Sequence, residues 1–187
     1  GVPQRRERVV FVGFRADLGI EWSFPEATHS LEALLWEQVR TGDYWERHEI
    51  AKRDRVLDPR FRARGMALLE KPADKPWLTV RDAIGDLPDP ELQPELAAAC
   101  LNHRFQGGAR SYVGHTGSPL DEPAKTLKAG VHGVPGGENM LRRADGSVRY
   151  FSVRESARLQ TFPDKYPFHG SWTQSMRPLG HAAPVKL

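Results

Sequence analysis

The sequence predicts an α+β fold, and three stretches carry that prediction. VVFVGF at 9–14 is an uninterrupted apolar run of strand length, the pattern of a strand buried on both faces in a parallel or mixed sheet. SLEALLWEQV at 30–39 places Leu31, Leu34, Leu35 and Val39 at helical spacing, one apolar stripe along an amphipathic helix. LRRADGSVRYFSVRESARLQ at 141–160 sets two short strands around the turn Asp145-Gly146 and follows them with a capped helix.

The elements follow in order. QRRER at 4–8 comes after only three residues, a loop of arginines running straight into the strand predicted at 8–14. It is either a basic N-terminal arm or the middle of something longer. Ser30 opens the first helix. The stretch GDYWERHEIAKRDRVLDPRFRARG at 42–65 mixes both charges and is interrupted by Pro59, which predicts a solvated surface segment with short helical pieces. EKPADKPW at 70–77 has the composition of a linker. Thr79 and Asp82 then form a T-x-x-D cap for the short helix VRDAIGDL, which Pro88 ends.

Residues 102–140 are glycine-rich, hold few large apolar side chains, and interleave His, Arg, Lys, Thr and Asn. Only TLKAG at 126–130 and the flanks of Ala144-Asp145-Gly146 predict strands there. Such loops can bring backbone close to a ligand, which here would be large and anionic, or can form a merely flexible surface. Beyond them Ser152 and Glu155 form a capping box for RESARLQ, Pro163 stops that helix, and His181 in GHAAP is expected at a turn into a further helix. The net charge of +3 is a mild basic excess compatible with nucleic acid. The single cysteine, Cys100, has no disulfide partner, no CxxC pair suggests zinc, and no metal site is expected. No apolar run approaches a membrane span, which predicts a soluble cytoplasmic protein.

QRRERVVFVGFR at 4–15 resembles the eighth conserved motif of cytosine-5 DNA methyltransferases, a glutamine–x–arginine–x–arginine loop leading into a core strand. RYFSVRESARLQTFPDKYPF at 149–168 resembles the ninth motif. SMRPLGHAAPV at 175–185 resembles the tenth, where the family usually has a glycine–asparagine–alanine–valine–proline string. Between them, DEPAKTLKAGVHGVPGGENM at 121–140 is similar to the threonine–leucine segment and glycine loops of the family's target-recognition domain. The resemblance runs essentially end to end.

It implies a remnant of an α/β S-adenosylmethionine-dependent methyltransferase core joined to a small strand- and loop-rich recognition domain. Residues 1–84 would be the C-terminal strand and helices of the core with a connecting segment, 85–150 the recognition domain, and 151–187 the last two motifs, returning to the core. The implied activity is DNA (cytosine-5)-methylation, with S-adenosylmethionine as cofactor and double-stranded DNA as partner, in the nucleoid. In that chemistry the target cytosine is flipped out of the duplex and an enzyme cysteine adds at carbon 6. Negative charge then builds toward the ring nitrogen and O2, and a guanidinium, planar and permanently charged, can hold that oxygen without losing a proton. Position by position, the resemblance puts Arg8 on O2, Arg6 in support beside the catalytic loop, and Gln4 as the loop's hydrogen-bonding anchor. Gly180, His181 and Ala182 fall where the family meets the amino-acid end of the cofactor. His181 replaces the usual asparagine. Imidazole can donate one hydrogen bond as the amide does, but it is bulkier and can become charged. Arg154, Glu155 and Arg158 of the ninth motif are expected to pin the recognition domain to the core by ion pairs.

The family's glycine-rich cofactor loop, proline–cysteine nucleophile loop and glutamate–asparagine–valine motif do not occur in these residues. The expectation is therefore a C-terminal part, either an excised fragment or one subunit of a split enzyme, catalytically incomplete alone. Its partner would be the missing N-terminal catalytic part, and its uncovered surface would favour self-association. For DNA recognition the candidates are Arg110, His115, Thr116, Lys128 and His132, on two loops flanking a strand that carries Thr126 and Leu127. Lys128 is the candidate phosphate contact and the others are candidate base readers. Two other classes stand beside this one. One is a non-catalytic DNA-binding or regulatory module derived from the same family. The other is a basic scaffold or RNA-binding domain, for which the loops supply few stacking aromatics beyond Phe105 and Tyr112.

Overall fold

In the computed structural model, which describes residues 1–7, 9–129, 137–184 and 186, short helices and strands are joined by long loops in an α+β arrangement. A two-residue strand β1 (His29–Ser30) leads into α1 (Leu31–Leu35), where the Ser30 hydroxyl accepts from the Ala33 N–H. The helix widens into a π-helical segment, Trp36–Thr41, that Gly42 ends at φ 87°. Helices α2 (Asp43–Arg47) and α3 (Pro59–Met66) are the expected short pieces of the charged segment. Pro59 opens α3 instead of breaking a helix: it sits in the first turn behind the Asp58 cap, where a missing N–H costs nothing. Strand β2 (Lys75–Pro76) pairs in parallel with β1, so the expected linker is partly ordered by pairing. Both sequence-predicted capping boxes form, Thr79/Asp82 on α4 (Val80–Ile84) and Ser152/Glu155 on α6 (Val153–Leu159). Helix α5 (Pro94–Ala98) lies between them. Strands β3 (Ser118–Pro119), β4 (Met140–Arg142) and β5 (Val148–Tyr150) make one sheet, parallel between β3 and β4 and antiparallel across the Asp145-Gly146 turn. The chain's last helix is α7 (Trp172–His181).

One core cluster gathers Val80 and Ile84 of α4, Ala124 and Leu127, Leu141 of β4, Phe151, and Leu159 of α6. It draws on all three expected divisions of the chain, 1–84, 85–150 and 151–187. A second joins α6 to α7 through Val153, Ala157, Met176 and Leu179, and a third sets Leu34 against Tyr44 and Trp45. A buried polar network ties the third to the rest. The Tyr44 hydroxyl donates to Asp121 at 2.9 Å and lies 2.9 Å from the Thr79 hydroxyl, while Arg81 reaches the same carboxylate at 2.6 and 3.1 Å. Burial first, then the Asp121 charge, raises the Tyr44 pKa, so the phenol stays a donor.

Two strand expectations fail. Residues 9–14 form no strand, and their side chains are exposed, Val9 by 81% and Phe11 by 93%. A strand needs ladder partners, and no described strand lies alongside this run. Residues 126–129 form no strand of a local hairpin either; Gly130 lies outside the described residues.

Candidate functional site

Just before the segment expected as a strand at 126–130, the chain pairs with the arginine loop through Ala124. Ala124 donates to the Pro3 carbonyl at 2.9 Å and accepts from the Arg5 N–H at 2.7 Å, one rung of parallel pairing that places Gln4 opposite Ala124. The Thr126 hydroxyl donates to the Arg5 carbonyl, and Arg5 pairs with Glu122 at 3.0 Å while its guanidinium lies 5.5 Å from the Phe61 ring centre. Gln4 is buried and lines a cavity of about 350 Å3 with Arg6, His29 and Trp77. Among the described residues its amide nitrogen has no hydrogen-bond partner.

Arg6 connects this loop to the far end of the chain. Its guanidinium donates to the Gly180 carbonyl at 3.1 Å and to the Gln4 side-chain oxygen at 3.5 Å. The last carbonyls of a helix lack intrahelical donors and carry partial negative charge, so Arg6 serves as a cap for the final turn of α7. Gly180 in turn lies on the Lys128–Ala129 backbone: a Cβ placed there would sit 2.4 Å from the Ala129 nitrogen and 2.6 Å from the Lys128 carbonyl carbon. Only glycine permits that approach. Three distant stretches, 3–6, 122–129 and the end of α7, thus meet at one place.

His181 ends α7 and does not precede a helix. The overlooked signal is S-W-T-Q at 171–174, a capping box whose Ser171 accepts from the Gln174 N–H, with Met176 and Leu179 forming the buried face. Of the three residues matched to the cofactor, Gly180 is covered by the 128–129 backbone, and the Ala182 N–H is used on the Pro178 carbonyl at 2.9 Å. His181 alone presents an exposed polar side chain. Of the three, only that imidazole is left open to meet a ligand.

The candidate DNA residues divide. Tyr112 and His115 exchange backbone hydrogen bonds at 3.2 and 2.8 Å around Val113-Gly114, and their rings stack 4.3 Å apart. Gly114 at φ 82° supplies the turn. The Thr116 hydroxyl accepts from Lys125 at 3.1 Å, and Arg110 is exposed with no side-chain partner among the described residues. Lys128 is exposed and ion-paired to Glu138 at 3.0 Å. Its backbone is gripped by the Asn139 amide, which accepts from the Lys128 N–H and donates to the Lys128 carbonyl, both at 3.0 Å. Arg8 and His132 lie outside the described residues. Glu138 and Asn139 escaped the sequence reading because their partners are other side chains or backbone that no short motif announces.

Behind the site, the ninth-motif helix is held by its charges. Arg149 and Glu155 form a bidentate pair at 2.8 and 2.7 Å, both buried. Burial works against the Arg149 charge, but Glu155 and Asp89 outweigh it and raise its pKa. Arg158 binds Asp164 at 2.8 and 2.7 Å and also Asp86 and the Ala83 carbonyl. Arg154 departs from the expected ion pair. It is fully buried and donates to the carbonyls of Leu101, Pro163 and Tyr166, with Asp164 only at 4.0 Å. His103, also buried, contacts the Pro88 carbonyl at 2.6 Å, which only a donor can satisfy, so Nε2 carries a proton, and Nδ1 lies 2.7 Å from the Ser152 hydroxyl.

The profile of the C-5 cytosine-specific DNA methylases matches residues 1–187. The chain belongs to this family of DNA methyltransferases, which act on DNA and generally use S-adenosylmethionine. Over 187 residues it is 31% identical to the Type II methyltransferase M.NgoFVII of Neisseria gonorrhoeae, covering 98% of this chain and 43% of the relative. It is 28% identical over 188 residues to M.Eco47II of Escherichia coli and 29% over 213 residues to M.SacI of Streptomyces achromogenes, covering all of this chain and 40% and 46% of those proteins. The chain thus spans less than half the length of these relatives. Among the described residues no helix is long and apolar enough to cross a membrane.

Proposed function

We propose that this chain is the C-terminal part of a DNA (cytosine-5)-methyltransferase, supplying sequence-specific DNA recognition and part of the cytosine and S-adenosylmethionine pockets. The observation that carries the reading is the Arg6–Gly180 hydrogen bond, which joins the arginine loop to the last motif across 174 positions. In this reading residues 85–150 hold the recognition surface, while 1–84 and 151–187 belong to the catalytic core. That division describes roles, since all three contribute to one packed core.

The roles follow from chemistry. Arg8 holds the flipped cytosine's O2 and steadies the charge that develops there, while Gln4 and Arg6 keep the loop in place, Gln4 by its buried amide and Arg6 by its bond to the helix end. S-adenosylmethionine supplies the methyl group when bound. His181 hydrogen-bonds its amino-acid end, and Gly180 contributes by letting the helix close on 128–129. Arg110, His115, Thr116 and His132 would read base edges, and Lys128 would contact a phosphate.

The chain alone is expected to transfer no labelled methyl group from S-adenosylmethionine to duplex DNA, and to do so once the N-terminal catalytic part is supplied. Transfer by the purified chain by itself overturns the reading. A second reading, a non-catalytic DNA-binding module, draws on His181 in the asparagine position. It would be favoured if the completed enzyme stayed inactive until His181→Asn restored turnover.

A further inference from the structure

Glu138 stands out on the recognition surface because it is an anion where docking to phosphates calls for cations. Its Oε1 accepts from Lys128 Nζ at 3.0 Å, with the Lys128 side chain 59% exposed and that of Glu138 only 17%. The cation therefore faces solvent and the anion lies behind it. Among the described residues neither the second carboxylate oxygen, Oε2, nor Nδ1 of His115 has a hydrogen-bond partner, and both atoms are buried. Burial works to raise the Glu138 pKa, but the Lys128 bond, the residue's own N–H, and the Lys128 and His115 charges outweigh it and hold the carboxyl below its ordinary value.

Two features restrict what this pair can do. Asn139 fixes the Lys128 backbone through both its N–H and its carbonyl, so the pair is released by side-chain rotation alone. His115 lies near enough for its charge to act on Glu138, and an imidazole N–H can donate to a carboxylate.

We propose that Glu138 is a specificity-determining residue that holds Lys128 back from DNA phosphate until the adjoining 112–115 hairpin is seated on its correct sequence. Releasing the pair costs less on the correct site, where seating the hairpin lets His115 take the place of Lys128 at the Glu138 carboxylate. On any other duplex nothing replaces Lys128, and it stays with Glu138. The pair thus selects against non-specific backbone docking, where most of the affinity comes from phosphate neutralisation.

The inference rests on Lys128 as a phosphate contact, and a double-mutant cycle separates the two. Affinity of the complete methyltransferase carrying this chain would be measured for its target duplex and for an unrelated duplex over a range of salt, with Lys128→Ala, Glu138→Gln and both together. Glu138→Gln should tighten binding to the unrelated duplex about 2- to 5-fold, the scale of one exposed ion pair. It should steepen the salt dependence by up to about one unit of slope and improve target binding less, lowering the ratio between the two. In the Lys128→Ala background the gain should shrink. If Lys128→Ala weakens both complexes while Glu138→Gln leaves both unchanged, or shifts both equally, the restraining role is overturned and the phosphate contact stands. If Lys128→Ala changes neither complex, the phosphate contact itself fails.

Discussion

Residues 9–24 carry Val9, Val10, Phe11, Phe14, Trp22 and Phe24 and lie exposed, whereas residues 149–160 carry three arginines and a glutamate and are almost wholly buried. Hydropathy alone would assign the two regions the opposite way round. The difference lies in partners. Arg154 has three backbone carbonyls within 3.0 Å, and Arg149 has Glu155 in bidentate contact; a buried charge with its hydrogen bonds made is tolerated. The apolar run has no described strand beside it, so its backbone groups and side chains face water. In the proposed reading this is the face that the N-terminal catalytic part covers.

The comparison can be broken most decisively at Glu155. Glu155→Ala leaves Arg149 buried with its principal counter-ion gone and removes the acceptor for the Ser152 N–H. The expected loss is about 3–5 kcal/mol, read from urea unfolding followed by tryptophan fluorescence. A loss below about 1 kcal/mol would mean that apolar packing alone holds α6. Next in size is Gly180→Ala. The added methyl meets backbone at 128–129, which cannot rotate aside, and overpacking of this kind costs about 1–3 kcal/mol. Unchanged thermal stability would show that α7 does not close on 128–129 in solution. The smallest effect is expected at the exposed run. Phe11→Ser, 93% exposed, should alter stability by no more than about 0.5 kcal/mol. The same substitution should reduce self-association of the chain in sedimentation equilibrium. A large destabilisation would show instead that residues 9–14 are packed.

How much of this was legible depended on distance along the chain. Ser30, Thr79 with Asp82, and Ser152 with Glu155 each cap a helix within three residues, and Asp145-Gly146 turns a hairpin between adjacent strands. Such interactions are decided by neighbours in sequence, so the sequence displays them. His181 was misplaced relative to its helix because Pro178 and Gly180 resemble breakers, while the Ser171/Gln174 box that starts α7 lies up to ten residues earlier. The candidate site was legible only through its motif resemblance. Nothing local announced that Asn139 would grip Lys128 or that Arg6 would cap α7.

By itself the sequence determined the mixture of helix and strand, the caps and the hairpin, and the family's three motifs in order, because each depends on residue types at short spacing. Only the tertiary structure decided which surfaces were buried and what met at the site: Ala124 pairing with the arginine loop, Gly180 lying on 128–129, and Arg154 surrounded by carbonyls. Those outcomes turn on whether a buried donor or an apolar face finds a partner, and here most of the partners lie far away along the chain.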